Sequence, residues 1–216
     1  MSGLRDRVRG IPLATEAYLL TSHWKRRARS NRALTELKSR PLIKLNIGAG
    51  GLAGTGDWIT IDTAHGCDLY WDLREGIPFA ENSIEVIYSS HMFEHLTFTD
   101  GQVLLKECLR VLKPGASISL AVPNALMYIE GYLGTRKLPA DYFGWQPAFN
   151  STSAIDAVNY VAYMDGEHKY MFDQENLIRI LEIAGFANVS ERNFDAETDM
   201  GERDFESIYA IGFKPN

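Results

Sequence analysis

The run Leu45-Asn46-Ile47-Gly48-Ala49-Gly50-Gly51, followed after a short spacer by Trp58-Ile59-Thr60-Ile61-Asp62, constrains this chain more than any other feature. It reads as an apolar strand from Pro41 to Ile47, a glycine turn, a crossover, and a second strand that ends in a carboxylate. Glycine at 48 permits a backbone turn that a Cβ would obstruct, and glycine at 50 lets a ligand approach the main chain. An acid at the end of the next strand can accept hydrogen bonds from both hydroxyls of a ribose. Together these are the parts of an α/β site that holds an adenosine.

The spacer narrows the ligand. Parallel strands need a crossover of about a dozen residues, usually a helix. The interval from Gly48 to Trp58 barely reaches that length and carries Gly50, Gly51, Gly54 and Gly56, so the first crossover helix is expected to be very short or absent. Leu52 stands where a dinucleotide fingerprint has its third glycine. A pyrophosphate also wants a helix N-terminus in front of it. A nucleoside carrying an amino acid does not, which favours S-adenosyl-L-methionine (SAM) over NAD.

The strand-and-helix rhythm continues downstream. A third strand, Asp68 to Trp71, ends at Asp72, whose carboxylate can accept from an adenine amino group, with Leu73 and Phe79 as apolar walls. A fourth, Ile84 to Ser90, runs into His91-Met92-Phe93-Glu94-His95-Leu96. The spacing then predicts a helix from about Thr99 to Lys113, stopped by Pro114-Gly115, with Val103, Leu104, Cys108, Val111 and Leu112 on one face. Ser117 to Val122 is a fifth strand. Asp173 reads as the cap of a helix from Gln174 to Ala184 that ends at Gly185. Its apolar face is Leu177, Ile178, Leu181 and Ile183 or Ala184. The segments Ala187 to Arg192 and Ser207 to Phe213 complete the sheet as a terminal antiparallel pair.

The ordered set Gly48-Ala49-Gly50, Ile61-Asp62, Asp72, Ile77-Pro78-Phe79, Asn82-Ser83, Glu94-His95-Leu96 and Leu109 to Gly115 resembles the class I SAM-dependent methyltransferases. It is similar in particular to small bacterial methyltransferases associated with surface-polysaccharide biosynthesis, a likeness carried also by Gly56-Asp57-Trp58 and the His168-Lys169-Tyr170 run. The resemblance implies a Rossmann-like α/β fold: a mostly parallel seven-stranded sheet, an antiparallel last strand, and helices on both faces. It implies that Gly48, Ala49 and Gly50 line the methionine and ribose of SAM, that Asp62 binds the ribose, and that Asp72 and Leu73 meet the adenine side. It sets Ser89, Ser90 and His91 under the sulfonium, with Glu94 shaping the pocket. Asn46 stands where many relatives have an acid, so its contact there is neutral.

Methyl transfer to a hydroxyl needs a base, and histidine is the usual choice. His91 is the first candidate because it follows strand four; His168 is the second. Tyr170 is placed to orient an acceptor hydroxyl. His91, His95, Asp165 and His168 form no compact ligand motif, so no metal is expected. The stretch from about Asn124 to His168 reads as a loop-like cap with one helix near Ser153 to Met164. Its aromatics Tyr128, Tyr132, Tyr142, Phe143, Trp145, Phe149, Tyr160 and Tyr163 either pack it onto the sheet or present faces to a sugar or another ring.

Charge divides the chain into a basic N-terminal helical extension, residues 1–40, and a SAM-binding domain, 41–216, with its cap at about 124–168. The extension holds ten Lys and Arg against three acids, a local +7, while the whole chain is −6. A helix from Leu13 to Lys38 is suited to docking before the fold, or to peripheral contact with an anionic membrane or a partner complex. The acidic body disfavours nucleic acid. Cys67 and Cys108 form no disulfide framework and fit a reducing cytoplasm, peripheral contact being at the inner membrane face. No transmembrane run and no signal-peptide core is read. The expected activity is methyl transfer to a hydroxyl of a sugar or glycan intermediate. The alternatives are another small metabolite as acceptor, or a non-catalytic SAM-fold docking protein.

Overall fold

The computed structural model describes residues 12–138 and 153–216, with the backbone alone for 12–20. Seven strands form one sheet: β1 (Lys44–Ile47), β2 (Trp58–Asp62), β3 (Leu69–Tyr70), β4 (Ile84–Ser90), β5 (Leu112–Pro123), β6 (Ala187–Glu191) and β7 (Ser207–Phe213). Their spatial order is β3-β2-β1-β4-β5-β7-β6. All neighbours from β3 to β5 are parallel, and β7 runs antiparallel to both β5 and β6. This is the Rossmann-like seven-stranded arrangement expected from the sequence. The order reverses at β1, where a crevice opens beyond the carboxyl ends of the strands.

Helices flank the sheet: α1 (Pro12–Leu37), α2 (Phe98–Val111), α3 (Ala125–Leu133), α4 (Ile155–Tyr163) and α5 (Gln174–Ala184). No helix occupies the crossover from β1 to β2, as its glycines foretold. Strand interiors are dry: Leu45, Ile47, Ile59, Ile61, Ile87 and Ile118 are fully buried, as inner strands of a covered parallel sheet require.

The end of α2 differs from the reading at Pro114-Gly115. A residue before proline avoids the α region, and the helix already stops at Val111. Leu112 turns extended and pairs with Ile84, and a register shift follows before Val86 pairs Ser117. The buried face of α2 is Leu104, Leu105, Cys108 and Val111, while Val103 lies exposed. On α5 the buried set is Leu177, Ile180, Leu181 and Ala184, and Ile183 faces outward. Asp173 caps α5 by accepting from the Asn176 N–H at 2.7 Å, and Gly185 closes it in the left-handed region.

The insertion after β5 is more helical than its sequence suggested. Asn124 caps α3 through the Met127 N–H, and Gly134 ends it at φ +72°. With α4 it builds a small second core of Ala125, Met127, Tyr128, Ala157, Tyr160 and Val161. Tyr128 and Tyr160 are therefore packing residues, whereas Tyr132 and Tyr163 are exposed. Tyr142, Phe143, Trp145 and Phe149 lie outside the described residues.

The C-terminal part of α1 is seated on the sheet edge. The Tyr70 N–H donates to Ser30 Oγ at 2.8 Å, so the helix caps the open side of β3. Leu34 and Leu37 join the main core. The Arg27 guanidinium stacks on Trp71, 3.1 Å from the ring centroid, and bonds Glu75 at 2.8 Å. Part of the basic charge of the extension is thus committed to aromatic and acidic partners of the same chain. Among the described residues no helix is long and apolar enough to cross a membrane.

Candidate functional site

A cleft of about 680 Å³ opens at the carboxyl ends of β1, β2 and β4. Gly48 and Gly50, at φ +70° and +61°, form its turn. A Cβ on Gly48 would fall 2.1 Å from Met92 Cγ, so glycine there is a requirement of packing as well as of φ. The Asp62 carboxylate is fixed by two main-chain donors, Gly50 N–H at 2.9 Å and Ala64 N–H at 2.7 Å. Each oxygen keeps capacity for another donor. The strand-two acid and the glycine turn therefore form one rigid unit.

The opposite wall holds Trp71, Asp72, Leu73 and Arg74. Asp72 caps the turn after β3 and takes a bidentate grip from Arg74, 2.6 Å at the closest. That guanidinium holds the Asp72 carboxyl below its ordinary range. Of the residues expected at the cofactor, Gly48, Gly50, Asp62, Asp72, Leu73 and His91 line this cleft; Asn46, Ala49, Ser89, Ser90 and Glu94 do not. Sequence reasoning assigned no site role to Thr63, Met92, Thr97, Asp100 and Lys169, which also line the cleft.

His91 and His95 also line a second, inner cavity of about 210 Å³ with Glu94, Tyr160, His168 and Arg203. His91 sits at φ +49°, a left-handed conformation that costs a non-glycine residue about 1–3 kcal/mol and clusters at functional sites. Its N–H is held by Ala121 O at 2.9 Å. The Ser207 hydroxyl donates to Arg203 O at 2.6 Å, so it accepts from His91 Nε2–H at 2.8 Å. Nδ1 is thereby the free lone pair, 3.6 Å from Glu94 Oε1. Burial, helped by the Arg203 charge, pushes the His91 pKa down to about 3, so the ring is neutral across the physiological range.

Glu94 is fully enclosed, and burial pushes its carboxyl up to about 8. Its main-chain carbonyl accepts from the N–H groups of Lys169 and Tyr170, which draws the segment before α5 over the cavity. His168 donates Nδ1–H to Val161 O at 2.8 Å, and burial lowers its pKa. His95 donates Nδ1–H to Glu167 O at 3.1 Å. The two rings meet edge-on with centroids 4.9 Å apart. The sequence offered no compact metal motif. In the fold, one ligand atom each of Glu94, His95 and His168 lie within 4.8 Å of one another, and Asp165 is not among them. Tyr170 stands apart, accepting from the Asn176 amide at 3.2 Å and packed on Phe172.

Residues 69–120 match the family described as "Methyltransferase domain". No curated protein matches the chain. Among solved structures, it is similar to a SAM-dependent methyltransferase from Thermotoga maritima, at 14% identity over 99% of this chain and 100% of that one, TM-score 0.49. It is similar to a SAM-dependent methyltransferase from Archaeoglobus fulgidus, at 18% identity over 89% and 94%, TM-score 0.47. Phosphoethanolamine N-methyltransferase 2 of Haemonchus contortus, solved with SAM, gives 15% identity over 86% of this chain and 53% of its own, TM-score 0.45. The cleft residues fit SAM, since the glycine turn leaves room for the ligand and Asp62 keeps acceptor capacity for a diol. Residues 69–120 thus resemble a methyltransferase domain, and the cleft beside them has the donor and acceptor set that S-adenosyl-L-methionine would need.

Proposed function

We propose that the chain transfers a methyl group from SAM to a hydroxyl of a sugar or glycan intermediate. The observation that carries methyl transfer is the meeting of two cavities at His91 and His95, with His91 held neutral by burial. The larger has the glycine turn and acid for the cofactor; the smaller has room for part of an acceptor. The hydroxyl acceptor follows from His91, and the sugar class follows from the resemblance of the motif set.

SAM supplies an activated methyl group when bound. Asp62 orients the ribose end, and the Gly48–Gly50 turn lets the main chain approach. His91 takes the acceptor proton at Nδ1, because Ser207 fixes the other ring nitrogen as a donor. The buried walls around Tyr160 and Glu94 exclude water from the acceptor. Polar groups at the mouth, Thr97, Asp100 and Lys169, are suited to a hydroxylated partner.

The test has two stages. Calorimetric titration with S-adenosylhomocysteine is expected to give one-to-one micromolar binding. A radiolabelled-methyl assay over nucleotide sugars, glycan intermediates, catechols and small amines should then label the sugars. Binding without transfer to any sugar removes the acceptor class, and no binding by folded protein removes catalysis.

A further inference from the structure

The inner cavity holds a group that methyl transfer does not need: a glutamate sealed from solvent with one oxygen unused. Glu94 is 3% exposed, and its Oε2 makes no hydrogen bond. Such a buried atom costs free energy unless something meets it. Two further lone pairs stand close by. His95 and His168 each spend Nδ1–H on a main-chain carbonyl, of Glu167 and Val161, which leaves both Nε2 atoms as acceptors. His95 Nε2 lies 4.0 Å from Glu94 Oε1. Two imidazole nitrogens and a buried carboxyl with an unused oxygen, gathered at one small cavity, make a good ligand set.

We propose that Glu94, His95 and His168 form a binding site for a divalent transition-metal cation, zinc being the ion best matched to two imidazoles and one carboxylate. The ligand atoms already lie within 4.8 Å of one another. A tetrahedral zinc with bonds of about 2.0–2.1 Å sets its ligands roughly 3.4 Å apart, so closure draws the ligand atoms together by about 1.4 Å at most. The carbonyls behind the two rings fix tautomer and orientation, as outer-shell partners of metal-bound histidines do. Those carbonyls are anchored in turn: Glu167 follows the one-turn helix after α4, and Val161 lies within α4. Three protein ligands leave a fourth position to water or to an oxygen of a bound molecule. Arg203 and Glu206, one of each sign, complete the wall. The site stands on coordination geometry and does not depend on which acceptor is methylated.

The experiment uses the full chain, freed of metal with a chelator and titrated with Zn²⁺ in competition with a chromogenic chelator. One equivalent should bind at micromolar or tighter affinity and raise the melting temperature. Co²⁺ in its place should give the visible absorption of a four-coordinate site. Glu94→Gln, which keeps the side-chain volume, and His168→Ala should each weaken Zn²⁺ binding by about tenfold or more. Failure of the wild type to bind Zn²⁺, or binding that both variants retain unchanged, overturns the proposal. Should either variant melt early, His95→Ala takes its place. S-adenosylhomocysteine affinity, measured on the same samples, reports the cofactor cleft separately.

Discussion

The two cavities that meet at His91 are assembled in opposite ways. The cofactor cleft is local in sequence: its central contact, Gly50 N–H to Asp62, spans twelve residues. The inner cavity is not: the contact that fixes His91, to Ser207, spans 116. The first is made largely of backbone, from glycines and strand ends whose positions follow from the parallel sheet. The second is made of side chains from the end of β4, α4, the segment before α5 and the approach to β7. A cleft of the first kind shows in sequence as a motif. A cavity of the second kind shows only as unrelated histidines and acids until the fold brings them together.

The largest expected effect lies where the two meet. On the proposed reading, His91→Ala should lower turnover by about 10²–10⁴-fold while S-adenosylhomocysteine affinity holds. The comparison breaks if affinity and turnover fall together, for His91 would then belong to the cleft alone. Next comes Asp62→Ala, which strips two main-chain N–H groups of their acceptor and removes the ribose contact. Calorimetry should show cofactor affinity weaker by about 1–3 kcal/mol. An unchanged value would mean that the acid serves only the turn. Gly48→Ala should come third. Its Cβ meets Met92 Cγ, and the residue is held at φ +70°, so the fold should lose about 1–2 kcal/mol in denaturant titration. Met92 ends in a flexible chain, and a neutral substitution would show that it gives way.

The same contrast explains what could be read beforehand. The strand-turn-strand of β1 and β2, its missing crossover helix and all of β4, α5 and β7 were legible because each rests on local rules: alternation, glycine turns, an Asp cap, a glycine stop. Helical phase was less secure. Val103 and Ile183 are apolar yet exposed, while Leu105 and Ile180 are buried, because both helices bury a stripe rotated from the one first read. The helix α3 was missed although Asn124 and Gly134 are ordinary cap residues. It lies in the stretch read as loop-like; in the fold Leu138 packs where a Cβ on Gly131 would be, at 2.5 Å. The unused oxygen of Glu94 had no sequence signal at all. Glu94-His95-Leu96 is read from the motif as cofactor-side, and only the placement of α4 and His168 shows that its carboxylate faces the other cavity.

The smallest predicted effect comes from a network that touches neither cavity. Tyr88 on β4 donates its hydroxyl to Asp199 at 2.9 Å, and Arg192, just beyond β6, grips the same carboxylate with two nitrogens, 2.5 Å and 2.7 Å away. Burial raises the Asp199 pKa, but the Arg192 bonds, the Asp195 N–H and the Tyr88 hydroxyl outweigh it, and the carboxyl ends below its ordinary 3.8. A carboxyl depressed in the folded state stabilises the fold above its unfolded value. That stabilisation disappears as pH falls through the folded one. Asp199→Asn should therefore cost about 1 kcal/mol at neutral pH, and the difference from wild type should shrink in urea titrations taken below pH 3.8. The network pins the β6–β7 edge to β4, and β7 carries the serine that orients His91. If Asp199→Asn also lowers turnover without moving cofactor affinity, the inner cavity depends on this distant clamp, as a site assembled from remote segments should. The cofactor cleft, built from neighbours, should not register the change.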